Sequence, residues 1–243
     1  MELRADERID HLQGAGVQII QSPDVFAFSL DAVLLADFAQ VGPKSRVVDL
    51  AAGNGAVGLF VAPRTTGQVT LIELQPRLAD MAQRSVVLNQ MAHVDVHTLD
   101  LAQATTVVPK DSVDVVTCNP PYFKVSAQSV KSPNAHLALA RHELTTDFAT
   151  VCATTAALLR YQGKAFFVHR PDRLQELLST MAAAKLAPKR LRFIHPKADR
   201  EANMVLIEGI RSGKPDGIRI LPPLTVYSAD GQYSEEVARL LYG

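Results

Sequence analysis

Arg46-Val47-Val48-Asp49-Leu50-Ala51-Ala52-Gly53-Asn54-Gly55-Ala56-Val57-Gly58 decides how the chain folds. Its first five residues are mostly branched and apolar and run into a glycine cluster, which predicts a buried strand. The glycines permit tight turns and close backbone approach, and helical residues follow them. A strand, a glycine turn and a helix make the opening unit of an open α/β sheet. The GxGxxG spacing of Gly53, Gly55 and Gly58 is that of a nucleotide-binding turn.

Outward from this unit the pattern repeats. Residues 69–73, 94–99 and 113–118 predict further core strands, and 164–169, 191–194 and 204–208 three more. Pro76 opens a helix running to about Met91. Ser29 is placed to cap a helix that carries Leu30, Val33, Leu34 and Phe38 on one buried face and ends at Gly42-Pro43. Thr146 is placed to cap a helix with Phe148, Val151, Cys152, Leu158 and Leu159, stopped by Gly163. Pro171 opens one with Leu174, Leu177, Leu178 and Met181. The fold class expected is α/β and Rossmann-like: a mainly parallel, seven-stranded sheet with helices on both faces. Residues 1–40 read as an N-terminal extension with a short strand near Val17–Ile20 and a helix. Residues 41–243 read as the main domain, ending in a loop or hairpin tail.

In such sheets ligands bind outside the carboxyl ends of the strands. Asp49, Glu73, Asp100 and Asn119 all fall at those ends. Asn119 opens Asn119-Pro120-Pro121-Tyr122, where two prolines, lacking N–H groups, end the strand in a stiff turn. An amide oxygen and a neighbouring carbonyl at fixed spacing suit a planar amino group with two N–H donors. The Tyr122 ring offers a face on which a base such as adenine can lie. An ordinary proline turn is the plainer reading of that stretch alone.

The glycine turn admits two cofactors. Glu73 stands near the place of the ribose-binding acid of a dinucleotide fold, which favours NAD. S-adenosylmethionine also needs close backbone approach and an acid for its ribose. Asp49 can help hold its ammonium, and Asp100 can accept from its adenine. The Asn119 turn has a role in methyl transfer and none in hydride transfer.

Formal net charge is zero, so any nucleic-acid surface must be local. Two cysteines outside any CxxC pair indicate a reducing compartment, and the histidines show no metal-ligand spacing, so no metal is expected. No apolar run has membrane-spanning length and the start lacks a signal peptide's apolar core, which predicts a cytoplasmic protein. Lys185, Lys189, Arg190, Arg192, Lys197 and Arg200 form one basic run; Lys124, Lys131, Arg141 and His142 follow the Asn119 turn. Either group is a solvated face or a phosphate-binding rim.

At this point the sequence resembles class I S-adenosyl-L-methionine-dependent methyltransferases with an Asn-Pro-Pro-Tyr motif. Ala51 stands where a glycine is more usual. Glu7-Arg8-Ile9-Asp10, Gln21-Ser22-Pro23, Phe28-Ser29-Leu30-Asp31-Ala32, Ala140-Arg141-His142-Glu143, residues 195–200, and Leu221-Pro222-Pro223-Leu224 with Val226-Tyr227 resemble blocks of the bacterial tRNA1(Val) adenine-37 N6-methyltransferase family. That resemblance implies a tRNA substrate and a monomer or homodimer. It implies Asn119, Pro120 and Tyr122 as catalytic residues. It implies Ser29, Asp49, Ala51, Gly53, Gly55, Glu73, Asp100, Leu101 and Asn119 as the cofactor set. It implies Tyr122, Phe123, Lys124, Arg141, Lys189, Arg190, Arg192, Lys197 and Arg200 on the RNA. An amino group of guanine, of DNA adenine or of a protein glutamine remains an alternative acceptor. An NAD-dependent oxidoreductase and a non-catalytic nucleotide-binding module are the readings from other classes.

Overall fold

Strands and helices alternate as the apolar pattern requires. The computed structural model describes residues 2–23, 25, 29–120 and 147–243. A hairpin of β1 (Arg8–Leu12) and β2 (Val17–Gln21) precedes α1 (Leu30–Phe38). Then come β3 (Val47–Leu50), α2 (Ala56–Val61), β4 (Val69–Glu73), α3 (Pro76–Leu88), β5 (Val94–Thr98) and β6 (Val113–Cys118). After the undescribed residues follow α4 (Phe148–Leu158), β7 (Leu159–His169), α5 (Leu174–Ala183), β8 (Leu186–His195) and β9 (Met204–Arg211). The short β10 (Arg219–Ile220) and β11 (Leu224–Thr225) and helix α6 (Glu235–Tyr242) end the chain.

The main sheet runs β10-β8-β9-β7-β6-β3-β4-β5, with β11 also on β8. Only β9 is antiparallel to its neighbours. The seven expected strands are all present, and β10 and β11 extend the β8 edge. Successive residues point to opposite faces of a strand, and here both faces are covered. Val47, Leu71, Phe166 and Val168 enter one apolar core with α1 and α2, while Val48, Ile72, Ala165 and Phe167 enter the other with α4. That explains why these strands read as unbroken apolar runs.

Strand order reverses at β3: β4 and β5 lie on one side of it, β6 and β7 on the other. The crevice above β3 and β6 is thus the switch point where such sheets take ligands. Because β9 is antiparallel, β8 runs parallel to β7 and its carboxyl end returns to the same edge as Asn119.

Four local expectations are corrected. Helix α1 buries Asp31 through Ala36 as well as Phe38, so it is enclosed rather than one-faced; it is wedged among α2, β7, β9 and α6. Ser29 holds the N-cap position, but its hydroxyl donates to Asp31 and does not cap the helix by accepting from one of its N–H groups. The cap of α4 is Asp147, accepting from Thr150 N at 2.8 Å, and Thr146 lies outside the described residues. Gly163 does not stop α4, which ends at Leu158. It sits in an excursion of β7, where pairing jumps from Val113–Leu159 to Val115–Lys164 and Gln162 takes φ +62°.

The tail, expected as loops or a hairpin, includes α6, which packs on the turn between β1 and β2. Contact there is close enough that a Cβ on Gly14 would stand 2.4 Å from Leu240 O. Only glycine fits at such a backbone approach.

Candidate active site

The carboxyl edge of β5, β4, β3 and β6 is built by register. Leu50 is level with Ile72 and Cys118, and Glu73 with Thr98. The next level holds Glu73, Ala51 and Asn119, and Asp100 follows two residues after Thr98, so the four stand in the order Asp100, Glu73, Ala51 and Asn119 along the edge.

The glycine turn is made by left-handed backbone. Ala51 takes φ +53°, Gly53 +60° and Gly55 +88°. Ala51 therefore adopts the conformation a glycine would take there. Its Cβ adds strain of about 1–2 kcal/mol and leaves the path of the turn intact. The glycines divide the remaining work. A Cβ on Gly58 would meet Leu71 Cδ2 at 2.0 Å, and one on Gly55 would meet Ala82 Cβ at 3.1 Å, so both let α2 lie against β4 and α3. A Cβ on Gly53 would meet nothing within 4 Å, which leaves that residue facing open space at the strand ends.

Glu73 holds the turn. It is 6% exposed, and its Oε2 accepts from Gly53 N at 2.7 Å while its Oε1 accepts from Gln75 N at 2.8 Å. Two backbone donors fix the carboxylate beside the one open glycine. An acid oriented by the loop and a glycine without obstruction are what an adenosine ribose needs, so these residues fit such a cofactor.

Asp49 works from below. It is 1% exposed. Its Oδ1 accepts from Thr117 Oγ1 at 2.7 Å, across the β3–β6 pair, and its Oδ2 accepts from Gly58 N at 3.0 Å. Burial pushes its pKa up to about 7 against the pull of those two bonds, and the nearby Glu73 charge pushes the same way. Desolvation of a carboxylate acts in that direction. The geometry thus gives Asp49 a positioning part: it ties the glycine turn to the strand that ends in Asn119.

Asp100 caps the short 3-10 helix Leu101–Thr106, accepting from Ala102 N at 2.8 Å. Leu101 is buried in the core beneath it. Asn119 is partly exposed directly after β6, and Pro120 is buried. Tyr122, Phe123, Lys124 and Arg141 lie outside the described residues.

Two residues at the turn were not singled out by sequence. Asn54, 1% exposed, donates from Nδ2 to Ile20 O at 3.1 Å and ties the glycine turn to β2. Thr117 is the Asp49 partner; a hydroxyl in the middle of an apolar strand was its only signal.

The basic run divides in space. Arg190 is paired with Glu208, donates to Phe38 O at 3.2 Å, and lies 4.6 Å above the Phe38 ring. Arg192 grips Glu236 with two bonds of 2.7 and 2.9 Å and donates to Pro222 O. Lys189 donates to the carbonyls of Lys214 and Asp216. These three, expected on a phosphate rim, are each engaged by protein partners in this structure. Residues two apart on a strand share a face, and this face of β8 carries Arg190 and Arg192 to α1 and α6. Lys197 and Arg200, past the end of β8, are exposed.

A cavity of about 110 Å³ opens at the opposite, amino ends of β3–β5, lined by Arg46, Gln68, Asp95 and His97 among others. It is remote from these groups. Among the described residues no cluster of three or more His, Cys, Asp or Glu is placed to hold a metal, and no helix is long and apolar enough to cross a membrane.

Residues 16–169 match the family described as methyltransferase small domain. A tRNA1(Val) (adenine(37)-N6)-methyltransferase of Shewanella baltica is 25% identical over 219 residues, 88% of this chain and 90% of that protein. The protein of the same name from Parabacteroides distasonis is 26% identical over 209 residues, 85% of each. Among solved structures, a predicted O-methyltransferase from Agrobacterium tumefaciens superposes with a TM-score of 0.69 at 24% identity, covering 86% of this chain and 94% of that one. The family match sets the hydride-transfer reading aside.

Proposed function

The chain belongs to the methyltransferase small domain family, and from that premise we propose that it methylates N6 of an adenosine in RNA. The acceptor we infer is adenosine 37 in the anticodon loop of a tRNA, and the methyl donor S-adenosyl-L-methionine. The names of the relatives at 25–26% identity support that substrate, and a cytoplasmic location follows from it. The observation that carries the reading is the row Asp100, Glu73, Gly53 and Asn119 along one sheet edge, with Glu73 bonded to Gly53 N at 2.7 Å.

The cofactor supplies an electrophilic methyl group on a sulfonium. Glu73 is the acceptor for its ribose hydroxyls and Asp100 for its adenine. Ser29, Ala51, Gly55 and Leu101 shape the surrounding wall, and Asp49 fixes that wall to β6. On the acceptor side, the adenine amine is a poor nucleophile because its lone pair is delocalised into the ring. The Asn119 amide oxygen and the Pro120 carbonyl take its two N–H groups and favour the pyramidal amine. Tyr122 stacks on the base. Those contacts strengthen as the nitrogen becomes positive, so orientation and electrostatics lower the barrier. A single-stranded loop lets the target base be splayed out to reach them. Residues 1–40 serve as an extension that braces the glycine turn through Ile20 and Asn54.

The test is incubation of unmodified tRNA with the protein and isotopically labelled S-adenosylmethionine, followed by nucleoside mass spectrometry. Labelled N6-methyladenosine at one position is the expected product. Label in protein or in another nucleoside, with adenosine untouched, refutes the proposal.

A further inference from the structure

Four strand intervals separate β6 from β11 along the carboxyl edge, through β7, β9 and β8. At about 4.8 Å per interval they amount to about 19 Å across the sheet. Register puts Leu191 level with Cys118 but His195 level with Thr225, which adds about 16 Å along the strands at about 3.3 Å per residue. A group just past β11 therefore stands about 25 Å from Asn119. Tyr227 is there. Its N–H donates to Pro196 O at 3.0 Å, which sets it beside Lys197. Its ring is stacked on Tyr233, with centroids 5.2 Å apart and planes 15° apart. Tyr233 packs against the core and Tyr227 is 37% exposed, so Tyr227 is the outer ring of the pair.

The turn between the rings is held by its own bonds. Ser228 N donates to Gln232 O at 2.9 Å, Ser234 N to Val226 O at 2.8 Å, and Asp230 accepts from Ser228 Oγ at 2.6 Å and from Gln232 N at 3.1 Å. Asp230 is thereby engaged within the turn. The neighbouring turn is fixed by Arg200 N donating to Lys197 O at 3.1 Å and by the His195 ring nitrogen donating to Arg200 O at 2.7 Å. Lys197 and Arg200 project from it, exposed, with Asp199 and Glu201 interleaved. With Asp199, Glu201 and Asp230 against Lys197 and Arg200 the patch has one excess negative charge, so the rings must supply much of any attraction. Aromatic faces beside backbone-holding cations are how single-stranded nucleic acid is bound, and a ring already held in place loses little freedom on binding.

We propose that Tyr227, backed by Tyr233 and flanked by Lys197 and Arg200, is a stacking platform for RNA nucleotides neighbouring the target, with the two cations on their phosphates. This rests on the RNA-methyltransferase reading. A span of about 25 Å is about seven nucleotides at a stacked rise of about 3.4 Å, fewer where the strand is extended. The platform therefore meets the same single-stranded segment as the active site, and it makes affinity depend on RNA beyond the reacting base.

The experiment measures tRNA affinity by fluorescence anisotropy, methylation kinetics and cofactor affinity for the wild type, Tyr227→Ala, Tyr227→Phe and the pair Lys197→Gln with Arg200→Gln. Tyr227→Ala should weaken RNA binding about tenfold, the scale of one lost base–aromatic stack, and the loss should fall on KM more than on kcat. Tyr227→Phe, which keeps the ring, should restore the affinity. The double variant should flatten the log–log salt dependence by about 1.4, or about 0.7 per phosphate contact. Cofactor affinity should hold within twofold throughout, which also checks folding. A wild type that methylates RNA beside a Tyr227→Ala protein of unchanged RNA affinity overturns the platform and leaves the function standing. A wild type that methylates no RNA overturns both.

Discussion

Replacing Glu73 by Gln changes one oxygen into an amine and nothing else in shape. In the native turn Oε2 accepts from Gly53 N at 2.7 Å and Oε1 from Gln75 N at 2.8 Å. The glutamine amide can accept from one of those donors and must present its own N–H₂ to the other. A buried donor left without its acceptor costs about 1–3 kcal/mol, so Glu73→Gln should lower stability by about 2 kcal/mol. Glu73→Ala strands both donors and should lose about twice as much. At about 2–4 °C per kcal/mol for a chain of this size, the glutamine variant should melt roughly 4–8 °C lower. S-adenosylmethionine affinity should fall as well, because the same carboxylate holds the open glycine and is the proposed acceptor for the ribose hydroxyls. The assays are urea or thermal denaturation, alone and with cofactor, and titration calorimetry. Equal melting of the wild type and Glu73→Gln, with equal cofactor affinity, would refute the claim that this carboxylate organises the turn.

Asn119→Ala should lower the single-turnover methylation rate about 100- to 1,000-fold, the scale of one lost transition-state partner, with cofactor affinity within a few-fold; a near-normal rate makes the turn merely structural. Asp49 has a folded pKa of about 7 against an ordinary 3.8, so between those values the folded protein holds a proton that the unfolded chain releases. Stability should therefore decline as pH rises from about 4 to about 7, by about 4 kcal/mol in all, and Asp49→Asn should remove that slope in urea titrations across the range. Gly58→Ala places a methyl 2.0 Å from Leu71 Cδ2; overpacking of this kind should destabilise by about 1–3 kcal/mol, measured as a lower urea midpoint at unchanged slope.

The parallel sheet was legible because Val47, Val48, Leu71, Ile72, Phe166 and Phe167 are apolar on both faces of their strands, and strand-end acids needed no further information to be placed. Distinctions within the glycine cluster were not legible. Gly53 and Gly58 look alike in sequence, and only the position of Leu71 shows that one is for packing and the other faces open space. The partners of the basic run were hidden for a related reason. Lys189, Arg190 and Arg192 are close along the chain, but Lys214, Asp216, Glu208 and Glu236 come from a loop, a strand and a helix later in it. A charge shows its sign in sequence and its commitments only in three dimensions. The helix α6 was hidden because its apolar stripe has just Val237, Leu240 and Leu241, and its packing site is the first hairpin.

That last pairing bears on how the protein is made. Gly14 accepts the backbone of Leu240 so closely that no side chain could stand between them, and Leu12, Val17 and Val237 share one core. During synthesis the β1–β2 hairpin emerges well before α6, and the whole sheet is made before α6 exists to cover it. Chains fold as they emerge, amino-terminal parts first, so the hairpin spends that interval with one side unsealed. Closure of α6 onto Gly14 then follows the making of the sheet between them. Because Asn54 fastens the same hairpin to the glycine turn, a nascent chain completes the bracing of that turn only after α6 has been made.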